Sequence, residues 1–282
     1  VVAGFLGPSF LALLAFSLGP MIGTVWVSVQ EWNLIRPARF VGLDNYRELI
    51  GDEDFRHALR NTVYYLVGYL PLVTTGGLAL ALLVNTRLKG IALFRAIYFL
   101  PVVTSWVVVS LLWKWLLNPR DGVVNWLLGT VGIDGPGWWT SRTWAMPSVI
   151  LASAWKDLGF VMIILLAGLQ AIPEDLYEAA RIDGASRWRQ TRSITLPMLT
   201  PSLFFVTIIS LINGFQVFDQ VWVMTEGGPV GSSTVVVEQI VRNTFSYGRA
   251  GYASAQSVVL FLVILLVTAV QLRLQKRWVF YG

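Results

Sequence analysis

The chain of 282 residues contains no cysteine, which excludes disulfides and thiolate-held metal and leaves its redox compartment unread. It has one histidine, His57, with no second one at metal-ligand spacing, so His57 reads as a plain loop residue near an interface. No cluster of His, Asp and Glu is placed to hold a metal or to serve as a nucleophile's base, which counts against an enzyme. The lysines Lys89, Lys114, Lys156 and Lys276 follow Leu88, Trp113, Trp155 and Gln275. A phosphate-binding P-loop needs glycine before its lysine, so the chain cannot itself be an ATPase. Tandem repeats, low-complexity tracts and flexible linkers are missing too, and residues 1–282 read as a single domain.

Charge is the scarcest commodity, at 13% of residues against about 25% in a soluble domain. Val1–Gln30, Asn61–Thr86, Ala96–Trp113, Leu158–Pro173, Ser193–Phe218 and Gly251–Leu272 hold no Asp, Glu, Lys or Arg. About 20 apolar residues cross a hydrocarbon core as a helix. The fourth run reaches that length when extended back to Pro147, across Lys156 and Asp157. The fold class is therefore all-α: a polytopic membrane protein in a lipid bilayer, with transmembrane helices near 6–29, 59–84, 92–117, 147–170, 199–222 and 253–273. The first run is too long for a signal-peptide core and lacks a charged start.

The net charge of +5 is modest and gives no reason to expect nucleic acid as a partner. Its distribution says more. Lys and Arg are densest in the loops near 85–95 and 171–198 and in the tail 273–282, which the positive-inside rule places in the cytoplasm with both termini. Trp26, Trp32, Trp113, Trp115, Trp126, Trp138, Trp139, Trp144 and Trp222 crowd the opposite ends, as interfacial anchors do. Pro71 and Pro101 fall inside spans, where each removes a helix hydrogen bond and makes either a packing kink or a hinge.

Between the fourth and fifth spans lies a charged segment, 173–197, that reads as a helix-turn-helix. Pro173 can start a helix, with Glu174, Asp175 and Glu178 near its positive end and Arg181 near its negative end. Leu176, Ala179 and Ala180 share a face. After Asp183, Gly184 can supply the left-handed residue that ends the helix, and Ser186 can cap a second one bearing Arg187, Trp188, Arg189 and Arg192. Pro197 and Pro201 mark where that second helix should give way to span five.

Glu178-Ala179-Ala180, then Gly184 after three residues, then Ile194, Leu196 and Pro197 after nine more resemble the coupling motif of permease subunits in bacterial binding-protein-dependent ABC importers. Phe218-Asp219-Gln220-Val221-Trp222-Val223-Met224-Thr225 with Gly227-Gly228-Pro229 is similar to the stretch after span five in the carbohydrate-uptake, maltose-permease-like group. Arg95 with Pro101, and Trp155-Lys156, fit the same group. Ala255-Gln256-Ser257-Val258-Val259-Leu260, running on to Val270-Gln271, looks most like glycerol-3-phosphate and glycerophosphodiester permeases. The resemblance implies a bacterial cell-membrane permease for a carbohydrate-class solute. It implies a second homologous permease, two ATPase subunits that bind ATP and magnesium, and an extracytoplasmic solute-binding protein as partners. No cofactor is expected in this chain. On this resemblance Glu178, Ala179, Ala180, Arg181, Asp183, Gly184, Leu196 and Pro197 form the coupling surface for the ATPases.

Ionisable or amide side chains inside spans are candidates for the solute path. Lys156 and Asp157 fall halfway along span four; they either bond neighbouring helices or form a polar patch that attracts a phosphate or sugar hydroxyl. In span five, Asn213, Gln216 and Gln220 at i, i+3, i+7 share one face, flanked by Phe215 and Phe218 with Asp219 near the outer end. Amides beside rings suit sugar recognition, and Gln256 and Ser257 in span six can complete such a site; the same residues can equally be interhelical glue. An ion-coupled secondary transporter is the main alternative, although the sequence has no visible inverted repeat or ion site. A membrane-embedded enzyme is the other.

Overall fold

The computed structural model describes residues 2–86 and 88–280; Arg87 of the first basic loop and the last two residues of the tail lie outside the described residues. The order is α1 (Val2–Leu13), a π-helical turn (Leu14–Leu18), α2 (Gly19–Ser28), a two-residue β-hairpin of β1 (Gln30–Glu31) and β2 (Arg39–Phe40), and α3 (Asp44–Gly51). Then come α4 (Glu53–Val84), α5 (Ile91–Val103), α6 (Trp106–Leu116), α7 (Val123–Thr130), a 3-10 turn at Trp138–Thr140 and α8 (Ala145–Gln170). The chain continues with α9 (Glu174–Ile182), α10 (Arg187–Gln190), a π turn (Thr191–Thr195) and α11 (Leu196–Phe215). It closes with α12 (Asp219–Met224), α13 (Val236–Val241), a third π turn (Arg242–Ser246) and α14 (Ala250–Trp278).

Among the described residues, Leu6–Ser28, Glu53–Val84, Ala145–Gln170, Arg187–Phe215 and Ala250–Lys276 are long and apolar enough to cross a membrane. The run expected to form one span over 92–117 is a pair, α5 and α6, bent by 102°. It supplies a sixth crossing only if both halves count together. Pro101 has no N–H to give and lies in the last turn of α5. Thr104 Nα then closes a tight turn on the Pro101 carbonyl at 3.2 Å, its hydroxyl takes the Leu100 carbonyl at 3.1 Å, and the backbone extends through Thr104 and Ser105. By contrast α4 runs on through Pro71.

Span five also departs from expectation at both ends. No separate second helix precedes it: the helix is continuous from Arg187 to Phe215. The π turn carries it past Pro197, with Leu196 N bonding the Thr191 carbonyl five residues back. Thr200 Oγ1 takes the Pro197 carbonyl, at 2.6 Å, that the ring of Pro201 leaves unserved. The helix then stops at Phe215 and resumes as α12 at Asp219, so no single face runs from 213 to 220.

Two compact units emerge from the packing. The first takes residues up to Arg60 with Val235–Leu265. Buried Asn45 ties its hairpin to the helices, donating to the Ser28 and Gln30 carbonyls at 2.9 and 2.8 Å. Glu238 is fully buried there and bonds Arg242; burial pushes its carboxyl above the usual carboxylate range, against the pull of the guanidinium.

The second unit takes Asn61–Thr234 and the residues from Leu266 on. Its centre is α8, whose Met146, Val149, Ala152, Ala154, Val161, Met162 and Leu165 are buried. Small residues let neighbouring backbones close on it, as is usual where apolar surface alone cannot drive helices together in lipid. A Cβ on Gly159 would lie 2.0 Å from the Tyr98 carbonyl oxygen of α5.

Candidate functional site

A cavity of about 240 Å3 lies within the second unit, built from four segments. From α4 come Tyr65 and Tyr69, one turn apart and stacked at 5.2 Å with rings 13° from parallel. From α8 comes Asp157, whose Oδ2 accepts from the Tyr69 hydroxyl at 2.7 Å. Trp106, the first residue of α6, is presented by the helix break. The remaining wall is the interrupted segment: Asn213 and Gly214 at the end of α11, Gln216, Val217 and Phe218 in the gap, and Asp219 and Gln220 opening α12.

The expected solute-path residues therefore divide. Asp157, Asn213, Gln216, Asp219 and Gln220 meet at one cavity, although the break at 216–218 replaces the helical face that was to align them. Asn213, Gln216 and Asp219 are exposed, while Gln220 is buried and donates to Ser153 Oγ at 3.2 Å and to the Tyr65 hydroxyl at 3.5 Å. Phe215 is buried and Phe218 lines the wall in its place. Lys156 does not line the cavity and donates to the Val102 carbonyl at 2.9 Å. Gln256 sits in the first unit, fully buried, bonded to Asn243 and Gln239 at 3.0 and 3.1 Å. Tyr65, Tyr69 and Trp106 were missed; the only signal was a tyrosine pair at helical spacing in an uncharged run.

The charged segment forms α9 and the foot of the long helix before the transmembrane part of α11. Pro173 sits at the N-cap of α9 rather than inside it. Glu174 and Asp175 open the helix, and Arg181 closes it 3.8 Å from Glu178. Asp183 is the C-cap and Gly184 follows at φ +71°. Ala185 N reaches the Ala180 carbonyl at 2.9 Å and Gly184 N the Arg181 carbonyl at 3.1 Å, the paired bonds of a Schellman stop. Ser186 caps α10 by accepting from Arg189 N at 3.4 Å. Tyr177 of α9 is bonded to Thr195 of the long helix at 2.9 Å, and Gln190 Nε2 braces the turn between them by donating to the Ala185 carbonyl at 2.9 Å. Glu178 and Ala179 are exposed, Ala180, Leu196 and Pro197 half-buried. Ile182 and Trp188, 86% and 74% exposed, stand out as large apolar side chains on a charged surface.

Residues 73–280 match the family described as binding-protein-dependent transport system inner membrane component. The trehalose/maltose transport system permease protein MalF of Thermococcus litoralis is 36% identical over 270 residues, 95% of this chain and 91% of that protein. The lactose transport system permease protein LacF of Rhizobium radiobacter is 36% identical over 273 residues, 95% of this chain and 91% of that one. Among solved structures, a bacterial alginate ABC transporter in complex with alginate pentasaccharide-bound periplasmic protein holds a chain that superposes with a TM-score of 0.86 at 28% identity, covering 98% of this chain and 94% of that one.

Proposed function

This chain belongs to the family of binding-protein-dependent transport system inner membrane components, and we propose that within it the chain is the permease subunit of an ATP-driven importer for a neutral carbohydrate. The family places it as a multi-pass membrane component that transports rather than catalyses. The single observation that carries the finer reading is the composition of the cavity wall. It offers carboxylates, amides and phenols for hydroxyl groups and the Trp106 and Phe218 rings for a sugar's C–H face, and among the described residues no Lys or Arg lines it. A glycerol phosphate or phosphodiester, which the 255–260 segment suggested, would find no cation there. Relatives do not decide the charge, since alginate is described as acidic. At about 240 Å3 the cavity lies just under the usual ~300 Å3 lower bound for small-molecule pockets, which suits one sugar ring at a time.

The mechanism is alternating access, with ATP and magnesium bound and hydrolysed in two partner ATPase subunits. A homologous permease completes the path and an extracytoplasmic binding protein delivers the solute. Both termini lie in the cytoplasm, where the basic loops are. The helix α9 docks an ATPase through Glu178, Ala179 and Ala180, and exposed Ile182 and Trp188 add apolar area to that surface. Because Tyr177 ties α9 to the foot of the long helix and Gln190 braces the turn between them, displacement of α9 moves α11 and with it Asn213 and Gln216. Co-purification with an ATPase tests the assembly: an isolated chain that transports on an ion gradient alone would replace this reading with a secondary transporter.

The two glutamines test the cavity. Gln216→Leu, at an exposed position, is expected to cut uptake while leaving complex yield and basal ATP hydrolysis unchanged. Gln220→Leu removes two buried interhelical bonds and is expected to lower thermal stability, at about 0.6 kcal/mol per bond. Uptake normalised to assembled complex separates them. Normal normalised uptake in Gln216→Leu would remove the cavity from the solute path.

A further inference from the structure

A 102° bend inside a membrane segment leaves backbone groups without helical partners, and in lipid each such group must be served from elsewhere. In an unbroken helix the Val102 carbonyl would accept from Trp106 N–H. The break takes that donor away, and Lys156 Nζ, reaching across from α8, donates to Val102 O at 2.9 Å. The same ammonium lies 4.7 Å from the centroid of the Trp106 ring. One cation thus holds the last turn of α5 and the first residue of α6. Lys156 is only 5% exposed, so both contacts act away from bulk water, where a cation–π contact is at its strongest.

Three consecutive residues of α8 divide the work. Trp155 packs edge-on against Trp113 of α6 at 5.8 Å, Lys156 grips the bend, and Asp157 turns into the cavity. Successive residues on a helix point about 100° apart, which lets neighbours serve three different surfaces. Trp106 is the member common to the grip and the cavity wall.

We propose that Lys156 is a positioning residue that clamps the α5–α6 bend and holds the Trp106 indole as a wall of the cavity, without touching solute itself. This rests on the reading of the cavity as the solute path. The clamp makes cavity access depend on the bend: releasing the ammonium frees the indole, and the path opens beside it.

The absence of native cysteine makes the test direct, because an introduced thiol is the only one in the chain. The full complex with its partner subunits carries one cysteine at Gln216, in the cavity, or at Ser148, buried in the first turn of α8 and outside the cavity lining. Each reacts with a charged, water-soluble methanethiosulfonate reagent, and labelling of this chain is read on a gel. Lys156→Met is expected to speed labelling at 216 roughly tenfold, the equivalent of about 1.4 kcal/mol, and to leave 148 unchanged. Lys156→Arg, which keeps a cation and its donors, should restore the slow rate. In a Trp106→Ala background, already fast, Lys156→Met should add nothing. Spin labels on cysteines replacing Leu93 and Leu111 should give a broader distance distribution in Lys156→Met than in the parent.

Unchanged labelling at 216, equal acceleration at 216 and 148, or full additivity with Trp106→Ala would each overturn the clamp. None of these readouts needs solute. Normal uptake in Gln216→Leu with the labelling pattern as expected would therefore sink the solute-path reading and leave the clamp standing.

Discussion

Glu178→Lys and Gly184→Val are expected to yield complexes that insert and assemble but whose ATP hydrolysis no longer rises with solute-loaded binding protein. The two act by different physics. Glu178 is exposed, and its 3.8 Å pairing with Arg181 on the same face is a solvent-screened contact that contributes little to folding. Reversing its charge therefore leaves α9 intact and acts on whatever the helix meets. A charge-assisted hydrogen bond lost there costs about 1.5–3 kcal/mol, or roughly a tenfold to hundredfold fall in the stimulated rate. Gly184 acts on direction. A Cβ at that position meets nothing within 4 Å, so the penalty is purely the left-handed backbone at φ +71°. That costs roughly 1–2 kcal/mol for an ordinary residue and more for a β-branched one. The Schellman bonds from Gly184 and Ala185 would loosen and α9 would lose its aim. Gly184→Asn, which tolerates the same conformation, should retain most of the stimulation. Stimulated hydrolysis in proteoliposomes decides it. A normal response in both Glu178→Lys and Gly184→Val would detach this segment from coupling, and Gly184→Asn failing as badly as valine would refute the conformational argument.

The segment around Gly184 was legible because its signals are local. A glycine at a helix end, a serine two residues on and acids in the first turn each act within a few residues, and the chain obeys them: φ +71° at Gly184 and a Ser186 cap. The apolar runs were legible for the same reason, since crossing a membrane is a property of one contiguous stretch. The breaks were not. Pro101 marked the third run as bendable, yet the chain parts at Thr104–Ser105, and what satisfies the opened carbonyl is Lys156, far along the sequence on another helix. In span five Pro197 suggested a boundary that a π turn absorbs. The real end at Phe215 carries no proline, and its Gly214 lies where a Cβ would touch Leu66 of α4 at 2.5 Å. Periodicity assumes an unbroken helix, so it assembled Asn213, Gln216 and Gln220 by a geometry the chain does not use. They meet because the gap turns the chain around one cavity. Tyr65, Tyr69 and Trp106 join them through packing that no single stretch encodes.

Gly159→Ala is expected to be the most damaging single-atom change in the second unit, with Gly76→Ala as its mild counterpart. Both glycines sit where α8 meets another helix, and both lack room for a methyl group. At Gly76 the obstacle is Leu158 Cδ2 at 2.6 Å, the far end of a side chain that can rotate away. At Gly159 it is backbone: the Tyr98 carbonyl oxygen at 2.0 Å, its carbon at 2.8 Å and the Phe99 Cα at 3.0 Å. Backbone in the body of α5 cannot swing aside, so the helices must separate. Separation stretches the Lys156–Val102 bond from its 2.9 Å and withdraws the cation from Trp106. Overpacking a well-filled core costs about 1–3 kcal/mol, and more when the neighbour is rigid. Gly159→Ala should therefore fall at or above the top of that range, with loss of assembled complex and faster thiol labelling at position 216. Gly76→Ala should stay near its bottom, with assembly retained. Thermal unfolding of the purified complex, alongside yield, measures both. Equal losses would mean that the closeness of the obstacle matters and its rigidity does not; a stable Gly159→Ala complex would mean that α5 and α8 are not held at this distance.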